Sequence, residues 1–387
     1  MRFAAAFPAT LALLVAAACG SSNPRPEGEP TPAQRGARGG VLLDTLRRNT
    51  VIENDRPDAP ARAGMLVVAN QQGASATIVN ATTMQTIATL PVGNGPHEVA
   101  VSPDGRWAVV SLYGDRAAPG NSLAVIDLGA SMPAVSRTID LGQYTRPHGV
   151  AFVLGGGKLA VTSEATQKLV IVDFASGRVD TAMATNGRGS HMVAVRRDGR
   201  RAWTANIADG SVTEFDLELR RTLRTYPAVS MDEGIAVTPG GVQVWVGSND
   251  QHVVTVIETA STNKIATLDG IGFAYRIGIS RSGRVAVLAD PTSNRIWIYE
   301  VPSRKRIAEI DLSKEQGVKS APAGAAGQEG VGPEGITFDP IADFAYVTLH
   351  GTNQVVAVDL GQLKVVGVGP VGAGPDGIAY SQLTHRR

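Results

Sequence analysis

The chain has 387 residues, of which 43% are hydrophobic and 18% are charged, and its formal net charge is only +1. This composition supports a sizeable core, and the 44 glycines suit a fold with many tight turns. The near-neutral balance, without runs of Lys or Arg, excludes a general basic surface, so we expect no nucleic-acid partner.

The chain begins with a targeting segment. Met1 and Arg2 supply a basic start, and the apolar stretch 3–18 is too short to span a bilayer comfortably. The sequence LVAAACGSS then places small residues before Cys19, the single cysteine of the chain. This ending resembles a bacterial lipoprotein signal, with residues 1–18 removed and Cys19 lipidated; an ordinary secretory signal is the alternative. We therefore expect a cell-envelope protein that faces the periplasm or the exterior and contacts the membrane through its lipid anchor only.

The segment after this cysteine differs from the rest of the chain in composition. Residues 19–63 are rich in Pro, Gly, Ser, Arg and Glu, which is typical of a flexible tether. Regular apolar runs begin at residue 64 and continue to the end. We expect one folded domain over residues 64–387.

A hairpin pattern recurs along this domain. It first occurs as GPHEVAVSPDGRWAVVSLYGD, in which two apolar runs flank an Asp-Gly turn. The positions that open the seven units are His97, His148, His191, Glu233, Tyr275, Glu334 and Asp376. Their spacings are 51, 43, 42, 42, 59 and 42 residues, and third and fourth apolar runs often follow the hairpin. Four short strands in about 40 residues form a propeller blade, so the sequence predicts an all-β, seven-bladed β-propeller of four-stranded blades.

The last unit has only its first strand before the chain ends. Three further strands of a blade occur at the start of the domain, as GMLVVAN, ATIVNA and QTIATLPVG. We therefore expect the C-terminal strand to complete the N-terminal blade. Such a Velcro closure hides edges that would otherwise invite aggregation.

These units resemble the YVTN-type β-propeller repeat, and the chain looks like a YncE-like member of that family. The segments PHEVAVSPDGRWAVVSLYG, GSVTEFDLELRRTLRTYP and SATIVNATTMQTIATLPVGNGP carry the resemblance, which extends over about residues 64–381. The resemblance implies the fold. It assigns no activity, because propellers of this kind include binding proteins, scaffolds and enzymes.

The residues that open the units should meet at one mouth of the central channel. In each blade the first strand enters from one face of the disc and the second strand returns to it. We call the opening positions the lead residues and expect them to ring the channel on that face. The predicted ligand- or partner-binding residues are His97, His148, His191, Glu233, Tyr275, Glu334, Asp376 and the adjacent Arg276.

Three interpretations of this mouth stay open at this point. The first is a binding or scaffold surface that hydrogen-bonds a small polar ligand or a loop of a protein partner. The second is a metal site, because the imidazoles of His97, His148 and His191 suit zinc, copper or iron. A metal-dependent lyase or lactonase-like hydrolase would then use Glu164 or Glu334 as its general base. The third is a set of solvated polar residues with no ligand.

Overall fold

The computed structural model describes residues 62–320 and 330–385. In these residues the chain forms seven sheets of four antiparallel strands arranged in a ring, with nearly no helix. The predicted seven-bladed β-propeller is therefore confirmed. The expected signal peptide, Cys19 and the tether up to residue 61 lie outside the described residues. No helix in the described part of the chain is both long and apolar enough to cross a membrane.

The blades are numbered by their lead residues, and the strands of each blade are given from the channel outward. The first three blades comprise Pro96–Val101, Trp107–Gly114, Pro119–Asp127 and Ala134–Asp140; Pro147–Val153, Lys158–Ser163, Lys168–Asp173 and Val179–Ala184; and Ser190–Val195, Arg201–Asn206, Ser211–Asp216 and Arg221–Pro227. The fourth and fifth comprise Asp232–Val237, Gln243–Ser248, Val253–Glu258 and Lys264–Leu268; and Arg276–Ile279, Val285–Asp290, Arg295–Glu300 and Lys305–Asp311. The sixth and seventh comprise Pro333–Phe338, Phe344–Leu349, Gln354–Asp359 and Lys364–Pro370; and Pro375–Ser381, Met65–Asn70, Ser75–Asn80 and Thr86–Pro91. Short 3₁₀ turns occur at Leu154–Gly156, Leu312–Lys314 and His350–Thr352.

The seventh blade closes the ring with strands from both ends of the domain. Its innermost strand, Pro375–Ser381, pairs antiparallel with Met65–Asn70. The Ser381 hydroxyl also donates a hydrogen bond of 2.6 Å to the Gly105 carbonyl in the first blade. The Velcro closure expected from the sequence is confirmed, and each innermost strand has a partner within its own sheet.

The hydrophobic core lies mainly between neighbouring blades. One cluster of buried side chains lies at each of the seven blade boundaries. Between the seventh and first blades, for example, Met65 and Ile78 share a cluster with Val110 and Ile126. Because both faces of these strands are buried, their sequences are continuous apolar runs. The boundaries hold the blades, and therefore the lead residues, in fixed relative positions.

A β-bulge releases the lead residue from the strand ladder in six of the blades. In the first blade the pairing shifts between Pro96 and Val99, which leaves His97 and Glu98 out of register. Equivalent shifts occur in the second, third, fourth, sixth and seventh blades, whereas the innermost strand of the fifth blade begins just after its lead residue. A bulge re-aims side chains without ending the strand. In each of these six blades the lead residue and the next one are thereby freed from the ladder.

Hydroxyl groups of the second strands stabilise these bulges. In three blades the freed backbone N–H donates a hydrogen bond to a hydroxyl oxygen of the second strand. The bonds run from Glu98 to Ser111 (3.0 Å), from Gly149 to Thr162 (2.8 Å) and from Gly335 to Thr348 (2.7 Å). The Thr162 hydroxyl in turn donates to the carbonyl of His191 in the next blade at 2.6 Å. One hydroxyl therefore fixes a bulge and the neighbouring lead residue together.

Candidate functional site

Lead residues of neighbouring blades join in a network of charged side chains. The imidazole of His191 lies between two carboxylates, with Nδ1 3.1 Å from Glu164 Oε2 and Nε2 2.7 Å from Glu233 Oε1. Glu233 Oε1 also accepts a hydrogen bond of 3.1 Å from Arg276 Nη1. Its other oxygen accepts one of 2.9 Å from the Asn249 amide. Side chains from the second, third, fourth and fifth blades are therefore linked.

Arg276 connects this network across the channel. Its Nε and Nη2 donate to Glu98 Oε1 of the first blade at 3.1 and 2.7 Å, and Nη2 lies 3.8 Å from Asp376 Oδ1 of the seventh. The guanidinium carbon lies 4.3 Å from the ring centroid of Tyr275. The side chain is 5% exposed. A buried guanidinium is tolerated only when carboxylates compensate it, and here Glu98, Glu233 and Asp376 do so.

Two further histidines of the mouth pair with carboxylates. His97 Nδ1 contacts a carboxylate oxygen of Asp376, and its Nε2 lies 3.1 Å from the Gln71 amide nitrogen. His350 Nδ1 lies 3.0 Å from Glu334 Oε2. The sixth and seventh blades thus complete a mouth to which all seven blades contribute.

His148 lies between His97 and His191 and differs from both in its burial and in the contacts of its ring nitrogens. It is 0% exposed, and its ring centroid lies 4.0 Å from that of His97 and 3.7 Å from that of His191. Within the described part of the chain, neither of its ring nitrogens has a hydrogen-bond partner. Burial, together with the neighbouring imidazoles, lowers the pKa of His148 well below its usual range. The ring is therefore neutral at pH 7 and carries a nitrogen lone pair.

His191 and its carboxylates have the opposite charge state. Burial alone would lower the pKa of His191, but Glu233 and Glu164 outweigh burial and raise that pKa to about 9. Burial would likewise raise the pKa of Glu233, yet His191 and Arg276 bring it down to about 2. A charged imidazolium therefore packs against the neutral ring of His148 at pH 7.

Glu164 lies where the network reaches solvent. Its side chain is 24% exposed, and Oε1 accepts a hydrogen bond of 3.1 Å from the Tyr113 hydroxyl. Burial would raise the pKa of Glu164, but the hydrogen bonds from His191 and Tyr113 lower it below its usual range. Glu164 is therefore an ionised acceptor at pH 7.

The structure brings the predicted site residues together, although not around one point. Within the described residues, the groups that could hold a metal ion are two sets that share His148: His97, Glu98 and His148; and His148, Glu164 and His191. One ligand atom from each member lies within 4.8 Å of those of the other members. The site formed by all three histidines stays a prediction. Tyr275 lies against Arg276, and Glu334 lies with His350.

Sequence reasoning missed Glu98. It follows the lead residue, at a position that is glycine in the second, fourth, sixth and seventh blades. A Cβ atom at those glycines would lie 2.2–2.8 Å from backbone atoms of the next blade, as for Gly149, Gly234, Gly335 and Gly377. Glu98, Met192 and Arg276 interrupt this pattern, in the first, third and fifth blades, and of these Glu98 and Arg276 carry opposite charges. That interruption is the signal from which their contact across the channel could have been inferred.

Comparison with known proteins supports a β-propeller family. No model of a known protein family matches the chain. The chain is 25% identical to Protein NirF of Pseudomonas aeruginosa over 204 residues, which are 48% of this chain and 50% of that protein. It is 23% identical to Protein NirF of Stutzerimonas stutzeri over 180 residues, 43% of each chain. The chain thus spans about half the length of the curated relatives it matches.

Solved structures show the same fold at low identity. Kuenenia stuttgartiensis hydrazine synthase matches with a TM-score of 0.59 and 16% identity, over 74% of this chain and 90% of that one. A functionally unknown protein from Desulfotomaculum acetoxidans DSM 771 matches with a TM-score of 0.66 and 13% identity, over 82% and 99%. At such identities the likeness shows the fold alone, and the YVTN-type, YncE-like assignment stays a prediction.

Proposed function

We propose that this chain is a lipid-anchored binding module of the bacterial cell envelope, which takes a small polar ligand at the channel mouth. The observation that carries the proposal is the network of titratable side chains to which all seven blades contribute. Burying such groups costs free energy unless they are paired. A channel with only a structural role would be filled more favourably by apolar side chains.

The geometry of the network supports binding to a prearranged set of groups. Glu233, Arg276 and Asp376 are each less than a tenth exposed, and their contacts cross from blade to blade. The blades that carry them are fixed by hydrophobic boundaries. A ligand would therefore meet donors and acceptors whose positions are already set, which lowers the entropy cost of binding.

A thermal-shift experiment on the purified full chain tests the binding role. The probes are Zn²⁺, Ca²⁺, spermidine, lysine, citrate and inorganic phosphate, each at millimolar concentration. We expect at least one probe to raise the Tm of the parent protein and to raise that of Glu233→Gln by less. The matched control is Glu218→Gln, an exposed carboxylate outside the mouth, which should respond like the parent. If no probe shifts the parent, the mouth does not bind small polar ligands.

A labelling experiment tests the lipid anchor. The resemblance of LVAAACGSS to a lipoprotein signal supports attachment through Cys19. Cells that express the full chain are fed an alkyne analogue of palmitate. We expect label on the parent in the membrane fraction, and no label on Cys19→Ser. Equal labelling of the two chains, or none on the parent, would contradict the anchor without affecting the binding test.

A further inference from the structure

We propose that His148, Glu164 and His191 bind a divalent transition-metal ion of the zinc type. This inference deepens the binding role proposed above and rests on it, because it names the ligand of the same mouth. One ligand atom from each of the three residues lies within 4.8 Å of the other two. Two imidazoles and a carboxylate are a common set of zinc ligands, and they leave coordination positions open for water or a substrate.

The state of His148 is the first independent support. The side chain is fully buried, and both ring nitrogens lack a hydrogen-bond partner among the residues that the structure describes. Buried polar atoms in folded proteins nearly always have a partner, so this ring needs a specific explanation. An imidazole that the chain itself leaves unsatisfied, beside a second imidazole and a carboxylate, is available to coordinate a metal.

The surroundings of the other two ligands are the second support. Glu233 Oε1 lies 2.7 Å from His191 Nε2, and the Tyr113 hydroxyl donates to Glu164 Oε1 at 3.1 Å. His191 is therefore held from behind in the carboxylate–histidine arrangement that orients metal ligands, and Glu164 is held by a hydroxyl group. Their remaining atoms, His191 Nδ1 and Glu164 Oε2, face each other at 3.1 Å. A metal ion would replace the hydrogen that bridges these two atoms.

The second candidate set, His97 with Glu98 and His148, is less suitable. Glu98 Oε1 is engaged by Arg276 at 3.1 and 2.7 Å, and a fixed guanidinium at that distance repels a doubly charged ion. In the proposed set, Glu233 lies between Arg276 and His191 and contacts both. Glu164 is also more exposed than Glu98, at 24% against 11%, and so offers an entry path.

Metal binding to the full chain tests the proposal. The protein is purified without a histidine tag, treated with a chelator, and titrated with Zn²⁺ and with Co²⁺. Elemental mass spectrometry should find about one equivalent of Zn²⁺, and the visible spectrum of bound Co²⁺ should indicate nitrogen and oxygen ligands. His148→Ala and Glu164→Gln should each weaken binding at least about 100-fold, and Glu233→Gln about 10-fold. Glu164→Gln is nearly isosteric and keeps the test valid if His148→Ala does not fold.

Two control variants separate the possible outcomes. His252→Ala removes an exposed histidine outside the network, which contacts the Gly272 carbonyl, and should bind like the parent. If His97→Ala abolishes binding while Glu164→Gln does not, the other ligand set holds the metal and the assignment is wrong. If a folded parent takes up no metal in excess Zn²⁺, the metal site is refuted. A response to the organic probes in the thermal-shift experiment would still leave the binding role standing.

Discussion

Asp232 should make the stability of the propeller depend on pH in an unusual direction. It opens the innermost strand of the fourth blade and is 0% exposed, and neither carboxylate oxygen forms a hydrogen bond of normal geometry with any group in residues 62–320 and 330–385. Burial raises the pKa of Asp232 to about 8. Asp209 adds to this increase, whereas the backbone N–H of Asn206 and the charge on His191 oppose it.

The sign and size of the effect follow from that pKa. The unfolded chain has the ordinary value of 3.8, so between about pH 4 and pH 8 the folded state binds more protons than the unfolded state. The contribution of Asp232 to stability is therefore most favourable below pH 4 and is lost as pH rises through about 8. A difference of about four pKa units corresponds to on the order of 5 kcal/mol.

Asp232→Asn tests this reasoning because it preserves shape and removes the titration. Urea unfolding of parent and variant, followed by circular dichroism from pH 5 to pH 9, should give a difference in the free energy of unfolding that grows with pH. The variant should be more stable by at least about 2 kcal/mol at pH 9. Asp140→Asn, at an exposed carboxylate, should show no such trend. A difference that stays constant with pH, or a less stable variant at pH 9, would refute the argument.

Three further predictions concern the network, the blade contacts and the ring closure. Arg276→Met removes the guanidinium that three buried carboxylates share and should lower the free energy of unfolding by about 3–5 kcal/mol in urea titrations, whereas the exposed Arg188→Met should not. Gly335→Ala places a Cβ 2.2 Å from the Asp376 carbonyl and should lower Tm, whereas Gly157→Ala, with its nearest atom at 3.9 Å, should not. Removal of strand Pro375–Ser381 exposes an edge and should shift the protein to aggregates in size-exclusion chromatography.

Sequence alone predicted the fold and the position of the lead residues at one mouth, because both depend on a repeated local pattern. Contacts within one blade follow the same hairpin geometry, and the side chains of Glu233 and Asn249, for example, are hydrogen-bonded at 2.9 Å. Contacts across the channel could not be predicted from this local pattern. Arg276 and Glu98 are 178 residues apart in the chain, and their contact depends on the number of blades and on the reach of two long side chains.

The buried carboxyl of Asp232 was missed for a different reason. The equivalent residue is proline or serine in five of the other six blades, as at Pro96, Pro147 and Ser190, which is typical of a turn. Only the packing of the third blade against the fourth shows that its side chain is cut off from water. Hydrophobic periodicity reports which residues are apolar, and it does not report where a polar residue becomes buried.

The bulges separate the stability of this fold from the chemistry of its mouth. In six of the blades the lead residue and the next residue lie outside the strand ladder, and the apolar clusters between blades do not include any lead residue. Lead positions can therefore hold histidine, tyrosine or a carboxylate without changing how the blades pack, as the seven blades of this chain demonstrate. It follows that propellers sharing these boundaries can differ entirely in what they bind. The ligand must be inferred from His148 and its neighbours and not from the fold.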